Sequence, residues 1–467
     1  MDINKIPNFT PKGWTFVLIK DVIYKIPLTG KKLNQNEYKI SGKVPVIDQG
    51  QSFIGGYTNN EAIKISVKEP LIIFGDHTKI IKYVNFDFVP GADGIKVIKP
   101  FDIYYPKFFY YFLHSTKILN KGYFRHFQFV EKSLIPLLSK NEQNRIIEKI
   151  EELFTKLDAG VAALEKVRAQ LKRYRQAILK AAFSGELTAE WRQKHSNVGA
   201  GLSRPSEPSA RKSQNKLAAG GATTAPLQNG NLPDLPAGWE WKNGRNTFDF
   251  ITSGSRGWAK YYSETGPIFL RMGNLDHNSI SLDLRNIQHV QLPKGIEGIR
   301  TKVEANDILI SITADVGMIA LIPENFDEAY INQHIALCRP NKEIFQKYVA
   351  WYLVCHEGGL KQFQNMRRGA TKIGLGLDDI RMINIPLTEK EEQHQIVSEI
   401  ELRFSVADEV EKTVENALKQ ARRLRQSILK MAFEGRLVPQ DPKDEPAEKL
   451  LERIRIEKQK LAKKGKK

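Results

Sequence analysis

The chain is written twice, and this constrains its architecture more than any other feature. Leu134 to Leu187 aligns without a gap on Asn384 to Leu437, with about 23 of 54 positions identical where composition alone would give roughly 3 or 4. The shared skeleton opens with Ile135-Pro136-Leu137 and Ile385-Pro386-Leu387 and continues through Glu142-Gln143 and Glu392-Gln393. It closes on Arg175-Gln176, Ile178-Leu179-Lys180, Phe183 and Gly185, matched by Arg425-Gln426, Ile428-Leu429-Lys430, Phe433 and Gly435. A fainter echo precedes each copy: Pro11-Lys12-Gly13-Trp14 returns as Pro236-Ala237-Gly238-Trp239, and the strand from Ile95 to Pro100 returns as Ile335 to Pro340. The globular parts diverge while the helices agree, the pattern of one scaffold used twice to present two different surfaces.

In the first copy Ile146, Ile150, Leu153, Leu157, Val161, Leu164, Val167, Leu171, Tyr174, Ile178 and Ala181 recur at steps of three and four. The second copy carries Ile396, Ile400, Ala407, Val410, Val414, Ala417, Ala421, Leu424, Ile428 and Met431 in the same phase. This is a coiled-coil seam. No proline interrupts it and Gly160 is the one interior glycine, so a continuous helix from Glu142 to Phe183 would run about 63 Å. Pairing the copies would bury both stripes, and the spacing leaves parallel and antiparallel pairing equally open. Gly185 and Gly435 stand where helix C-caps fall, after Lys180 and Lys430, whose charges suit the negative end of the helix dipole. The expected order is a globular arm over 1–133, a helical region over 134–195, a flexible Gly/Ser/Ala/Pro-rich linker over 196–235, a second arm over 236–383 and a second helical region with a basic tail over 384–467.

At 467 residues, 41% of them hydrophobic, the chain has apolar side chains for more than one core. Lys and Arg outnumber Asp and Glu by 71 to 53, a formal +18, which puts a polyanion first among partners. The longest apolar run, Val349 to Cys355, is far shorter than a membrane span, and the start from Met1 to Pro11 lacks a secretory pattern. Cys338 and Cys355 fit a reducing cytoplasm, each as a small buried hydrophobe. The apparatus of DNA enzymes is missing. The stretch from Gly50 to Tyr57 has P-loop glycine spacing but puts Gly56 and Tyr57 where Lys and Ser or Thr are required, so it reads as a turn. No Pro-Pro pair exists for a methyltransferase motif that grips a flipped base. Pro233-Asp234 with Glu240-Trp241-Lys242 imitates a nuclease motif, but its spacing is too tight for carboxylates on adjacent strands. The histidines and cysteines show no metal-ligand spacing.

Together these features resemble the specificity subunits of type I restriction-modification enzymes, over nearly the full length. The resemblance rests on the doubled Ile-Pro-Leu, Glu-Gln and Arg-Gln-x-Ile-Leu-Lys-x-Ala-Phe-x-Gly-x-Leu helix. Further carriers are Leu187-Thr188-Ala189-Glu190-Trp191-Arg192, the stretch from Leu437 to Pro442, and Glu445-Pro446-Ala447 with Leu450-Leu451-Glu452. In the first arm, Phe74-Gly75-Asp76-His77-Thr78, Ala92-Asp93-Gly94 and Gly122-Tyr123-Phe124-Arg125-His126-Phe127 are similar to target-recognition stretches of that family. The resemblance implies a mixed α/β fold. Two globular α/β target recognition domains would each be followed by a long helix, the helices pairing antiparallel with pseudo-two-fold symmetry. It implies a non-catalytic subunit that reads a bipartite double-stranded DNA site, docks two methyltransferase subunits, and is joined by helicase-nuclease subunits in the cytoplasm of a bacterium or archaeon. No cofactor would belong to this chain: S-adenosylmethionine, ATP and Mg²⁺ would sit on partners. The long connector after Arg192 departs from the family pattern.

Base readout needs Arg or Lys for guanine and Asn or Gln for adenine, amid phosphate anchors. In the first arm the candidates are Lys31, Lys32, Asn34, Gln35, Gln49, Gln51, His77, Lys79, Arg125, His126 and Gln128. In the second they are Ser255, Arg256, Lys260, Tyr261, Tyr262, Arg271, Asn274, Arg367, Arg368, Thr371 and Lys372. The run from Lys449 to Lys467 is a basic helix, read as a solvated end or as a DNA or partner contact. Rival readings are a type IIB-like or methylation-only system without a motor subunit, and a coiled-coil scaffold whose basic arms bind RNA or protein.

Overall fold

The computed structural model describes residues 10–116, 124–196, 232–291, 300–367 and 374–464. The chain is mixed α/β and divides into two compact units, Met1–Lys166 with Val414–Lys467, and Val167–Thr413. Each unit therefore combines one arm with parts of both repeated helices. The expected linker lies almost entirely outside the described residues.

The first arm has strands β1 (Thr15–Leu18), β2 (Ile23–Lys25), β3 (Val44–Ile47), β4 (Gly56–Thr58), β5 (Leu71–Gly75), β6 (Ile81–Val84), β7 (Val89–Pro90) and β8 (Ile95–Pro100). Helices α1 (Pro106–Ser115) and α2 (Phe127–Glu131) and strand β9 (Leu134–Leu137) follow. A four-stranded antiparallel sheet in the order β2-β8-β5-β6 packs with a three-stranded sheet β4-β3-β7, and β1 pairs with β9. The all-apolar β5 is buried along its whole length, as a central strand must be, while β8 is buried except where it turns Lys96 outward and leaves Lys99 half-buried. Pro106 starts α1, where a missing N–H costs nothing, and its Phe108, Phe109 and Phe112 enter the core.

The first long helix, α3 (Lys140–Phe183), is followed by α4 (Ala189–Ser196). The second arm repeats the plan with β10 (Glu240–Asn243), α5 (Gly244–Thr247), β11 (Phe248–Ser253), β12 (Tyr262–Leu270), β13 (His289–Val290), β14 (Ile308–Ser311), β15 (Ile319–Leu321), β16 (Ala329–Ile331) and β17 (Ile335–Pro340). Helices α6 (Gln346–Val354), α7 (Lys361–Met366) and α8 (Leu377–Arg381) lead to β18 (Asn384–Leu387), α9 (Lys390–Phe433) and α10 (Ala447–Lys464). Its sheets are β11-β17-β14-β15, β13-β12-β16 and β10-β18, strand for strand the order of the first arm.

α3 and α9 are each 44 residues long. Within each unit their segments run antiparallel, and residues common to both copies set the register. In the first unit Asp158 pairs with Arg425, whose guanidinium lies 4.3 Å from the Phe154 ring centre. In the second Asp408 pairs with Arg175 at 2.5 Å, with Phe404 as the ring beneath it at 6.0 Å. Asp, Arg and Phe are identical at these positions in the two copies, so each copy's Asp meets the other copy's Arg. The seam is unevenly buried along its length. Ile146, Ile150, Ile178, Ile396, Ile400 and Ile428 are buried, but Tyr174, Val410 and Leu424 are exposed, against the expectation from spacing. Two helices alone shield less than half of each other's surface, and helical drift carries such positions off the contact.

The repeated motifs tie helix to arm. Phe433 is wedged edge-on against Phe108 and Phe112, and Phe183 against Tyr348 and Tyr352. Gly435 and Gly185 hold left-handed backbone at φ +67° and +80°, and a side chain at either would strike Pro11 or Pro236. The Pro-x-Gly-Trp echo is thus the other half of the helix cap. Glutamines at the helix starts fasten the arms from below: Gln143 accepts from Tyr105 N at 2.9 Å and Gln393 from Phe345 N at 2.9 Å. Against the first arm, α10 buries Ala447, Leu450 and Ile454, and Lys458 pairs with Asp21 at 2.7 Å. This face of the basic C-terminal run is packed; residues 465–467 lie outside the described residues.

Candidate nucleic-acid interface

Loops at the ends of the two sheets converge in each arm, and backbone hydrogen bonds hold them together. In the first arm Leu33 bridges Gly91, Ala92 N donates to Leu33 O at 2.7 Å, and Gly91 N donates to Ile47 O at 2.9 Å. Asp76 N donates to Gly94 O at 2.6 Å and His126 N to Asp76 O at 2.8 Å. Gln49 joins the β3 end to the β5–β6 loop, accepting from His77 N at 3.2 Å while its carbonyl accepts from Thr78 Oγ1 at 2.8 Å. Segments 31–35, 48–51, 76–79, 91–94 and 124–128 therefore form one face.

The second arm is stitched by the same bonds. Ser255 bridges Asn332, Asn332 N donates to Leu270 O at 3.1 Å, Ile312 N to His334 O at 2.9 Å, and Leu375 N to Ile312 O at 2.8 Å. These bonds align Leu33 with Ser255, Gly91 with Asn332, Asp76 with Ile312 and His126 with Leu375. Asn34 thus occupies the place of Arg256, His77 that of Thr313, Asp48 that of Arg271 and Arg125 that of Gly374. Lys79 and Ala314, at φ 61° and 60°, turn the corresponding hairpin loops. The frame is shared, while what it carries differs in size, charge and hydrogen-bonding capacity.

Of the first-arm candidates, Lys31, Lys32, Asn34, Gln35, Gln51, Arg125 and Gln128 are exposed, and Gln49, His77 and Lys79 are half-buried on the same face. In the second arm Arg256, Lys260, Tyr262 and Arg367 are exposed and Ser255, Tyr261 and Arg271 half-buried. Arg368, Thr371 and Lys372 lie outside the described residues. Two candidates are corrected. His126 is fully buried, its Nδ1 3.0 Å from Asp76 O, and serves the loop junction. Asn274 is 4% exposed, donating to Asp283 O and Asn286 O and accepting from Arg271 N, so its amide is consumed in folding its own loop.

Sequence reasoning missed Lys25 and Lys96, which with Lys32 line a cleft of about 540 Å³ beside the first arm's loops. It also missed Arg300, which donates to Thr252 Oγ1 at 2.9 Å and Ser255 Oγ at 3.3 Å, and Thr313, Gln333 and His334. Lys82 is not an anchor: burial pulls its ammonium down, Asp48 lies 3.5 Å away, and it donates to Ser52 O at 2.6 Å. The glycine-rich stretch is filled by the chain's own carboxylate, for Gly50 N donates to Asp48 Oδ1 at 2.8 Å and Gly56 enters strand β4. The nuclease-like Glu240 and Lys242 simply pair with each other at 2.8 Å. Among the described residues no group of His, Cys, Asp or Glu is arranged to hold a metal ion, and no helix is long and apolar enough to cross a membrane.

The type I restriction modification DNA specificity domain matches this chain at residues 11–171 and again at 269–420. The chain is 29% identical over 338 residues to the type I restriction enzyme EcoBI specificity subunit of Escherichia coli, a match covering 70% of this chain and 65% of that protein. It is 27% identical over 463 residues to the EcoDI specificity subunit of Escherichia coli, covering 96% of each. A chain from a solved structure of the type I R-M system superposes with a TM-score of 0.59 at 18% identity, covering 92% of this chain and 100% of that one, a likeness of fold. The doubled match falls on the doubled architecture, and the chain belongs to the family of type I restriction-modification DNA specificity subunits.

Proposed function

We propose that this chain reads a bipartite double-stranded DNA target, each arm recognising one half-site through its loop face, and that it directs the methylation and cleavage carried out by partner subunits. The observation that carries the reading is the repeated frame: the same backbone hydrogen bonds present Asn34, Asp48 and His77 in one arm and Arg256, Arg271 and Thr313 in the other. Two surfaces of one geometry and unlike chemistry suit two different short sequences. A formal +18 supplies the phosphate attraction on which base readout is superimposed.

In this reading the chain performs recognition without catalysis. Two methyltransferase subunits dock on the repeated helices, helicase-nuclease subunits join them, and S-adenosylmethionine, ATP and Mg²⁺ act on those partners in the cytoplasm. The helices set the gap between half-sites, so deletion of one heptad, about 10 Å, shifts the preferred gap by roughly 3 base pairs. The test is selection from a randomised duplex library at about 150 mM salt, where non-specific attraction is damped, using the chain with a partner methyltransferase. Enrichment of two fixed blocks around a fixed gap is expected. Binding that only fades with salt, with no motif, would leave a basic scaffold.

A further inference from the structure

We infer that Gln333 is a base-reading residue of the second arm, held in reading position by His334 and Thr313, and that it selects adenine. The inference rests on the proposed reading of the loop face. Gln333 Nε2 lies 2.9 Å from His334 Nε2, and His334 Nδ1 lies 2.6 Å from Thr313 Oγ1. An amide nitrogen only donates, so Nε2 of the imidazole accepts, the ring proton resides on Nδ1, and Nδ1–H donates to the threonine oxygen. The relay uses one of the two amide hydrogens of Gln333. With the hydrogen trans to the carbonyl engaged, the other hydrogen and Oε1 stand side by side, an adjacent donor and acceptor of the kind that pairs with adenine N7 and N6 in the major groove.

The backbone beneath this relay is fixed on several sides. His334 N donates to Asn332 Oδ1 at 3.1 Å, and Ile312 N to His334 O at 2.9 Å. Gly254 lies so close that a Cβ there would stand 2.2 Å from the Asn332 carbonyl, which brings the Ser255–Arg256 loop directly against the Gln333 segment. Gln333, itself half-buried, thus follows the residue that abuts the Ser255–Arg256 loop and joins the Thr313 loop through His334. Among the described residues the first arm has no such relay: Gly94 takes the place of His334, and the space above it is filled by His77 and Gln49, 2.7 and 2.9 Å from where a Cβ would be. Restricting one rotatable amide in advance lowers the ordering cost of binding and raises discrimination.

The test repeats the duplex-library selection with three variants of the full chain. Gln333→Ala should lower discrimination at one base pair of one half-site by roughly ten- to a hundred-fold, leaving the other half-site and the gap unchanged. Gln333→Glu should turn the preference at that base pair from adenine toward cytosine, whose amine donates to a carboxylate. His334→Phe keeps a ring of similar breadth but cuts both hydrogen bonds, and should broaden the same base pair and no other. A switch confined to one position cannot arise from misfolding. If the unaltered chain enriches a motif and Gln333→Ala and Gln333→Glu enrich the same one, or all positions weaken evenly, the inference is overturned while the bipartite reading stands. If the unaltered chain enriches no motif, the reading on which it rests has failed.

Discussion

The two units solve one structural problem with different chemistry at the junction between arm and helix. Glu392 in the second unit is 3% exposed and saturated: Arg192 and Thr188 donate to Oε1 at 2.5 and 2.7 Å, Trp239 and Thr388 to Oε2 at 2.9 and 2.5 Å. Glu142, its counterpart, is 4% exposed, accepts from Gln440 at 2.9 Å, and leaves the arginine of that junction, Arg145, to pair with Asp444 at 2.6 Å. Burial pushes the Glu142 carboxyl up, with nearby Asp444 adding to the effect. The lesson is that a duplicated motif preserves position and not energetics, because the segment following each helix supplies different partners.

The sharpest way to break this comparison is at the aromatic wedge, where the units should agree. Phe433→Ala and Phe183→Ala should each destabilise their own unit by about 3–5 kcal/mol in denaturant unfolding, since a buried ring is removed from a tight aromatic cluster. A large loss in one and none in the other would show that the wedges are not equivalent. At the carboxylates the units should part. Glu392→Ala leaves Arg192 in a half-buried site without its carboxylate and should cost roughly 3 kcal/mol. Glu142→Gln keeps a hydrogen-bonding group and removes a charge held at a cost, so it should change stability by less than about 1 kcal/mol.

The pH dependence follows from the same contrast. The folded-state value of Glu142 lies above its unfolded one, so its contribution is present below the unfolded value and is lost as pH rises through the folded value. Lowering pH from neutrality should therefore raise the thermal stability of the unaltered protein relative to Glu142→Gln, measured on the pair under identical conditions. A constant difference across that range would contradict the account.

How much of this was legible in the sequence varied with the kind of interaction. The long helices were plain because little besides a paired helix produces a three-four apolar period that runs over 44 residues and then recurs. The Asp158–Arg425 and Arg175–Asp408 pairs could have been read from the identity of both residues in both copies, since antiparallel register makes each Asp meet the other Arg. The arms were harder. Their strands run from two to nine residues, and their matching order is fixed by hydrogen bonds between backbone groups, which leave no mark on side-chain identity. For that reason the equivalence of Asn34 with Arg256 was invisible, although both were chosen on chemical grounds. His126 and Asn274 misled because a polar side chain in a loop can satisfy the fold's own backbone as readily as a ligand. The relay through His334 was unreadable because Thr313 and Gln333 are 20 residues apart and meet only when β14 and β17 pair.

The central claim is that one backbone frame carries two independent readers, and the positions that test it most directly are Asn34 and Arg256. Each should be replaced by alanine in the full chain and the bound DNA motif determined by duplex-library selection. The account predicts that Asn34→Ala relaxes discrimination in one half-site and Arg256→Ala in the other, each by roughly 1–3 kcal/mol at the affected base pair, with the gap unchanged. Relaxation of the same half-site by both, or even weakening across all sequences by both, would contradict it.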